Sequence, residues 1–578
     1  MMLLVLIGLI VLGIYGFYLA FVKYDFSKVV SIDSTSVKES KNTTPNEAYD
    51  LNYRLENYIK TGYDIFRLDE KTADIVLCFK KFGNNPVILS KHERQQHMQI
   101  MGPTGSGKSM MAQTLIAQDL MNPNIGIFVL EPKGGPDALV YQMKFLSERI
   151  KREVFLIDPT NPDTFIISPF SGSDLDEIAE INVSAFLMYL GPTAEQFYKN
   201  KQENALRMAV KAVKLLKGEE ATYDDVLNIL RKNSTGDAMR RECLSILSSD
   251  YNYLKHDLEE YHNELYNNPK AQHYYSGLID YLKKLTSNQY IRNILCVSPE
   301  EKKEKIINLR SVLNNAGVVL ITTAVHTTKH LGYTIGRLYL SMLQSEIFYR
   351  MKSNDKKVPV ACYIDEVQNY ANESFAEVFE MGRSANFMVT VIHHNFEQLR
   401  QVSPRLEQAV FTNARQKVIF GGINTDDAER IANQIGKQYQ PVYSFGLEPN
   451  ETEEKLMLNK REELRWIVTP TEIVNLPGFQ SETGEPAQVL CLLNINNKPS
   501  HLFGKVYPVN LEYLKPINNY IHNNIKEQET AIRIRKKSKS DENQTYNEDM
   551  QQDKKIVQKK YITDEIITDF LKRIKDGK

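Results

Sequence analysis

Gly102-Pro-Thr-Gly-Ser-Gly-Lys-Ser109 fits the pattern G-x-x-x-x-G-K-[ST]. Its residue types suit phosphate binding. Gly102, Gly105 and Gly107 let the backbone curl so that N–H groups, including those of Thr104 and Ser106, can point at phosphate oxygens. Lys108 would set a charge on the β- and γ-phosphates, and the Ser109 hydroxyl is a hard oxygen ligand suited to Mg²⁺. A plain Gly-rich turn is the bland alternative. The surroundings argue against it, because a short apolar run, His97–Met101, precedes the loop and a helical run, Met110–Leu120, comes after it. Such a helix aims its positive end at the same phosphates. A second element lies over 250 residues further on. The apolar run Val358–Ile364 ends in Asp365-Glu366. Asp365 would hold Mg²⁺ through its water shell, and Glu366 would orient and polarise an attacking water. An acidic pair after a strand is common in loops, so its weight comes from the phosphate loop. Together they predict a P-loop ATPase using ATP and Mg²⁺.

The elements that must position these residues read as α/β. Ile125–Leu130, Val154–Ile157, Gly317–Thr322, Phe387–Ile392, Lys417–Phe420 and Gln488–Leu493 are apolar runs of strand length. Helical segments fall between them, which indicates a sheet with crossover helices. From about residue 171 to 315 strand signals are weak. Glu195–Lys217 has helical spacing, and Thr222 is a plausible cap before Val226–Leu230. We therefore expect a nucleotide domain in two parts, 96–170 and 316–510, interrupted by an inserted all-α domain at 171–315.

Met1–Val22 carries no charged residue. As a helix it would be about 33 Å long, enough for a hydrocarbon core of about 30 Å. A secretory signal fits less well, since no Lys or Arg precedes the run and no small-x-small cleavage site comes after it. Lys23 and Lys28 after the run place the bulk of the chain on the cytoplasmic side of a single-pass span in the cell membrane. Residues 23–95 read as a membrane-proximal linker with some strands. Residues 511–578 read as a polar, flexible tail with a short amphipathic helix at Tyr561–Ile574. The chain's 578 residues exceed one usual core, and its formal net charge of -1 gives no global basic field for nucleic acid. Five scattered cysteines and the histidines His326, His330, His393 and His394 lack metal-ligand spacing. Trp466 and the Tyr-rich stretch Tyr251–Tyr290 read first as packing residues, with base stacking as the alternative. Lys133 is either a turn lysine or a group near the γ-phosphate or a subunit interface.

An ordered set of motifs resembles the type IV coupling proteins of conjugation and type IV secretion. Glu131-Pro-Lys-Gly134 is similar to the family's acidic-Pro-Lys-Gly stretch. Ile157-Asp-Pro159 with Ile167-Ser-Pro-Phe170, Asp365-Glu366, Gly382-Arg383, His394-Asn-Phe-Glu-Gln-Leu399, Val468-Thr-Pro-Thr-Glu472 and Leu476-Pro477 come next, in the family's order. The resemblance covers about His97 to Pro508. It implies a membrane-anchored RecA-like P-loop NTPase domain with an inserted all-α domain, and a homo-hexamer. It also implies a relaxase-bound DNA substrate, single-stranded in transfer, and type IV secretion channel proteins as partners. Two rivals stay open: a segregation translocase for double-stranded DNA, and a protein-secretion ATPase that binds no nucleic acid. This sequence departs from the family in having one span, Glu131 for Asp, and His394 for Gln; Asn395 could supply the missing amide. In a ring, Arg383 is the candidate arginine finger acting on a neighbour's nucleotide. The competing reading pairs Arg383 with a carboxylate such as Glu380, and Arg415 is the second candidate finger.

Overall fold

Residues 46–67, 73–190, 195–297, 303–352, 357–449, 454–480 and 482–516 are described by the computed structural model. The span expected over 1–22 and the helix expected over 561–574 lie outside them. Among the described residues no helix is long and apolar enough to cross a membrane. Contacts divide the chain into two units, Met1–Tyr513 and Leu514–Lys578, and every strand and helix of the described residues belongs to the first.

Among the described residues fifteen strands form: β1 (Ile75–Lys80), β2 (Pro86–Leu89), β3 (Met98–Met101), β4 (Gly126–Glu131), β5 (Phe155–Ile157), β6 (Ile166–Ile167), β7 (Ile306–Ile307), β8 (Val318–Thr322), β9 (Val360–Ile364), β10 (Phe387–His393), β11 (Gln416–Phe420), β12 (Lys437–Pro449), β13 (Glu454–Trp466), β14 (Ala487–Ile495) and β15 (Lys498–Val506). Eleven make one sheet in the order β2-β1-β15-β14-β11-β3-β10-β9-β4-β8-β5. From β11 to β5 every pairing is parallel. These strands read Gly-Ile-Phe-Val-Leu-Glu, Val-Val-Leu-Ile-Thr or Val-Ala-Cys-Tyr-Ile and are buried on both faces. That is the pattern of a parallel sheet covered by helices on each side. The remaining edge, β14-β15-β1-β2, is antiparallel.

The region read as a linker contributes more than expected. Leu51–Thr61 is a helix, capped by Asp50 at its start and by Gly62 in the left-handed region at its end. β1 and β2 then join the main sheet. Behind the phosphate loop, Arg54, Arg94 and Tyr363 hold the far end of the helix Lys108–Leu120. Arg94 pairs with Asp119 at 2.6 Å, Tyr363 donates to Asp119 at 2.7 Å, and Arg54 donates to Gln118 at 2.9 Å. Tyr363 lies two residues before Asp365, so this buried network ties the two halves of the sequence-predicted site together.

Between β6 and β7 the described chain is helical, with helices such as Leu175–Leu190, Gln196–Lys217, Tyr223–Leu230 and Ala271–Ser287. Thr222 forms a capping box with Asp225 at the start of Tyr223–Leu230. Ile166 pairs with Ile306 and Ile167 with Ile307, which brings the entry and exit of the helical run side by side. Its core is continuous with the sheet: Phe186, Leu206 and Tyr281 belong to the same buried cluster as Phe128, Ile321 and Ile364. Tyr261, Tyr275 and Tyr281 are buried there, whereas Tyr253 and Tyr266 are exposed. A second cluster, including Met101, Ile419, Ile431 and Leu490, lies by the antiparallel edge, with Trp466 packed against it. β12 and β13 form a separate two-stranded hairpin, paired from Lys437↔Trp466 to Pro449↔Glu454.

Candidate nucleotide site at the carboxyl ends of the parallel strands

The strand order decides where the chemistry converges. β3 ends in the glycine loop, β10 in His393-His394, β9 in Asp365-Glu366 and β4 in Glu131. These are consecutive neighbours, β3-β10-β9-β4. All run parallel, so their carboxyl ends open on one crevice, the usual ligand position in open α/β sheets.

The loop is shaped for phosphate. Gly105 and Gly107 have φ of +81° and +114°, in the region that favours glycine. A Cβ on Gly102 would stand 2.7 Å from both Phe420 Cβ and Ser106 Oγ, so that position admits no side chain without displacement. The helix Lys108–Leu120 begins at Gly107 with no side-chain cap, leaving its first N–H groups free for an anion. The Ser106 hydroxyl is buried without a partner among the described residues. These observations fit the phosphates of a nucleotide.

Lys108 Nζ folds back over the loop. It donates to the carbonyls of Gly102 and Pro103 at 2.7 and 2.9 Å and lies 3.1 Å from His394 Nδ1. Burial pulls its pKa down, with the charge of Lys133 acting in the same direction and Asp365 and Glu366 opposing. Asp365 is almost fully buried, and its carboxyl is raised, first by burial and then by the charge of Glu366; Lys133 and Lys108 offset part of this. Glu366 sits at φ +49°, a strained conformation for a residue with a side chain. Asn369 donates to its Oε2 at 2.9 Å, and His394 Nε2 stands 3.9 Å from its Oε1. His394 therefore contacts Lys108 through one ring nitrogen and turns the other toward Glu366. Asn395, the amide expected to stand in, instead caps the helix Phe396–Val402 by accepting from Gln398 at 2.9 Å. Its neighbour His393 is fully buried, 3.2 Å from Gln99, and burial holds it down to about 4.

Sequence reasoning gave Glu131 no chemical role. It is 1% exposed, accepts from Val140 N at 2.6 Å through one oxygen and leaves the other without a partner among the described residues. Burial raises it to about 8, and Asp365 adds to the rise. Its position after an apolar strand, directly before Pro132-Lys133-Gly134, was the available signal. Gly134 is required by a close approach: a Cβ there would lie 2.6 Å from His326 Cε1 and 2.8 Å from Ala324 Cβ.

Arg383 lies elsewhere. It precedes β10, whose seven residues span about 23 Å, so it stands at the opposite end of the sheet from its own crevice. The competing reading, a pairing with Glu380, does not form. Glu380 pairs with Arg405 at 2.9 Å, while exposed Arg383 reaches His92 at 3.0 Å. The short turn Gly382–Ala385 after the helix Ala376–Met381 breaks the helical spacing that would have stacked Arg383 on Glu380. Arg415 also lies at this lower end, before β11.

The sequence profile described as type IV secretory system conjugative DNA transfer matches residues 60–507. No curated protein sequence matches the chain. Among solved structures, the bacterial conjugative coupling protein TrwBdeltaN70, in its unbound monoclinic form, superposes with a TM-score of 0.49 at 15% identity, covering 74% of this chain and 87% of that one. The plasmid coupling protein TrwB in complex with ADP and Mg²⁺ gives 0.46 at 15% identity, covering 74% and 89%. VirB4 of Thermoanaerobacter pseudethanolicus gives 0.44 at 15% identity, covering 76% and 97%.

Proposed function

Because the chain belongs to the type IV secretory system conjugative DNA transfer family, we propose that it is a membrane-anchored, hexameric P-loop ATPase that delivers a relaxase-bound DNA strand to a secretion channel. The observation that carries the ATPase reading is the convergence of Lys108, Asp365, Glu366 and His394 on one crevice. Lys108 and the free N–H groups of the loop would hold the phosphates. Ser109 and Asp365 would hold Mg²⁺, which when bound offsets phosphate charge. Lys108 leaves the carbonyls of Gly102 and Pro103 as it turns to the nucleotide. Glu366, fixed by Asn369, accepts the proton of the attacking water. His394 lies between Lys108 and Glu366 and is placed to report which of them is engaged.

The helical run between β6 and β7 stands, in this proposal, as the inserted cargo-facing domain, and residues 1–22 as the anchor. Arg383, exposed at the lower end, serves a neighbouring subunit in trans. The test is ATP hydrolysis by the full chain in detergent, with and without single-stranded DNA, beside Glu366→Gln. We expect DNA-stimulated turnover that Glu366→Gln loses while still binding ATP. Hydrolysis indifferent to DNA would favour protein cargo. Wild-type turnover in Glu366→Gln would remove Glu366 as the base.

A further inference from the structure

At the amino end of β11, opposite the nucleotide crevice, a cleft of about 460 Å³ opens between the helix Pro404–Asn413, the helix Thr425–Ile435 and the strands β14 and β15. Among the described residues its charged and titratable lining is Arg415, Lys417 and His501, with no carboxylate. Asn494, Asn497 and Ser500 add neutral polar groups to its wall.

Lys417 is the informative residue. It is 2% exposed. Among the described residues its ammonium has one hydrogen bond, to the Ala414 carbonyl at 3.0 Å, and no ion pair. The Phe411 ring, 5.6 Å away, is its other neighbour of note. An ammonium carries three donors, and buried charges are ordinarily paired. Here the nearest charge makes matters worse. Burial pulls Lys417 down to about 8, and Arg415 pushes in the same direction, with no acid among the described residues opposing. The exposed Arg415 guanidinium likewise has no ion pair among the described residues.

We propose that this cleft is a second anion site, separate from the P-loop, which binds a phosphate group through Lys417 and Arg415. A phosphate would supply the missing counter-charge and accept the free donors of both side chains. The volume exceeds what one inorganic phosphate needs and falls in the range of small-ligand sites. The lining also includes Leu492, Leu493 and Pro499, apolar surface suited to the rest of a nucleotide. The phosphate can therefore come from a polynucleotide strand or be free in solution. The first source rests on the DNA-transfer reading; the second does not.

The experiment uses the full chain in detergent carrying Lys108→Ala, so that the P-loop adds little phosphate binding. Lys417→Met and Arg415→Ala are introduced singly and together. Binding of a fluorescent dT oligonucleotide is followed by anisotropy across salt concentrations, and binding of inorganic phosphate by calorimetry. Thermal melting verifies folding, and Arg415→Ala, being an exposed change, keeps the test alive should Lys417→Met unfold. In the strand case, the double variant binds the oligonucleotide about tenfold more weakly, and its salt slope is shallower by about 1.4, the sum for two phosphate contacts at about 0.7 each on single strands. If only inorganic phosphate binding is lost, the site stands with free phosphate as its ligand. If the parent binds phosphate through these residues but binds no DNA, the anion site stands and the DNA reading falls. Equal binding of both probes by parent and variants overturns the proposal, as does a parent that binds neither.

Discussion

The two ends of the parallel strands solve the problem of buried charge in opposite ways. At the carboxyl ends, Lys108 and Lys133 face Asp365, Glu366 and Glu131, and each side offsets part of the other's cost of burial. At the amino end of β11, Lys417 and Arg415 lie together with no acid beside them among the described residues. One end is balanced before any ligand arrives; the other lacks an anion. The lesson is that net charge says little about recognition. A chain with formal net charge -1 still holds a local site of one sign.

The largest effect should come from joining the two ends across subunits. Arg383→Ala should lower turnover by about 10³–10⁵, the range for a trans arginine. Mixing it with Lys108→Ala should recover some activity, because some interfaces then combine an intact loop with an intact arginine. Full activity in Arg383→Ala, or no recovery despite proven co-assembly, would break that link and turn attention to Arg415.

Within the crevice, Glu366→Gln should cut steady-state turnover by about 10²–10⁴ and leave the affinity for an ATP analogue intact. His394 should matter less. His394→Ala loses a hydrogen bond to the Lys108 ammonium, worth about 1.5–3 kcal/mol for a charged partner, and turnover should fall about ten- to a hundredfold. His394→Gln, which restores an amide, should stay within about threefold. A loss in His394→Gln as deep as that in Glu366→Gln would make His394 more than a neighbour of Lys108.

The smallest effects sharpen the contrast most directly, because the two ends should respond to pH with opposite sign. Glu131 is raised to about 8. Between its unfolded range near 4.5 and pH 8, the folded state keeps a proton that the unfolded state releases, so stability falls as pH rises. Lys417 is lowered to about 8. Between pH 8 and its unfolded value near 10.5, the unfolded state keeps the proton, so stability rises with pH. Melting curves without Mg²⁺ or phosphate should show Glu131→Gln flattening the decline between pH 6 and 8, and Lys417→Met removing the gain between pH 8 and 10. Each change is about 2 °C per pH unit or less in a unit of this size. Parallel slopes in the two variants would contradict the assigned environments.

Much of the crevice was legible because its residues are bound to strict local geometry. A glycine loop between a strand and a helix, and an acidic pair ending an apolar run, carry their meaning in a few adjacent positions. The lower cleft was not legible, because Lys417 and His501 come from strands that meet only through β14. Glu131 was visible as a motif residue, but its burial against Asp365 depends on β4 pairing with β9. Arg383 and Glu380, neighbours in sequence, were separated by one short turn. The hairpin β12–β13 was missed although Tyr439, Pro441, Tyr443, Phe445 and Leu447 alternate at period two, with Gly446 and the prolines diluting the strand signal. The helix Leu51–Thr61 was missed because its buried residues include Arg54, which breaks the apolar stripe.

The antiparallel edge has a consequence for how the chain comes into being. β1 can pair only with β2 until β15 exists, and Asn52 donates to the Pro508 carbonyl, a partner 456 positions later. At about 5–20 residues per second, a ribosome needs roughly 20–90 s to supply that partner. During that interval the outer face of β1, Ile-Val-Leu-Cys-Phe-Lys, is an open edge of the kind that recruits other strands. Closure of the sheet thus comes late in synthesis, and its slowest contacts join segments far apart in the sequence. Synthesis stalled before Val506 should leave a nascent protein with a P-loop already made and a sticky flank, which makes that edge the natural place for a chaperone to wait.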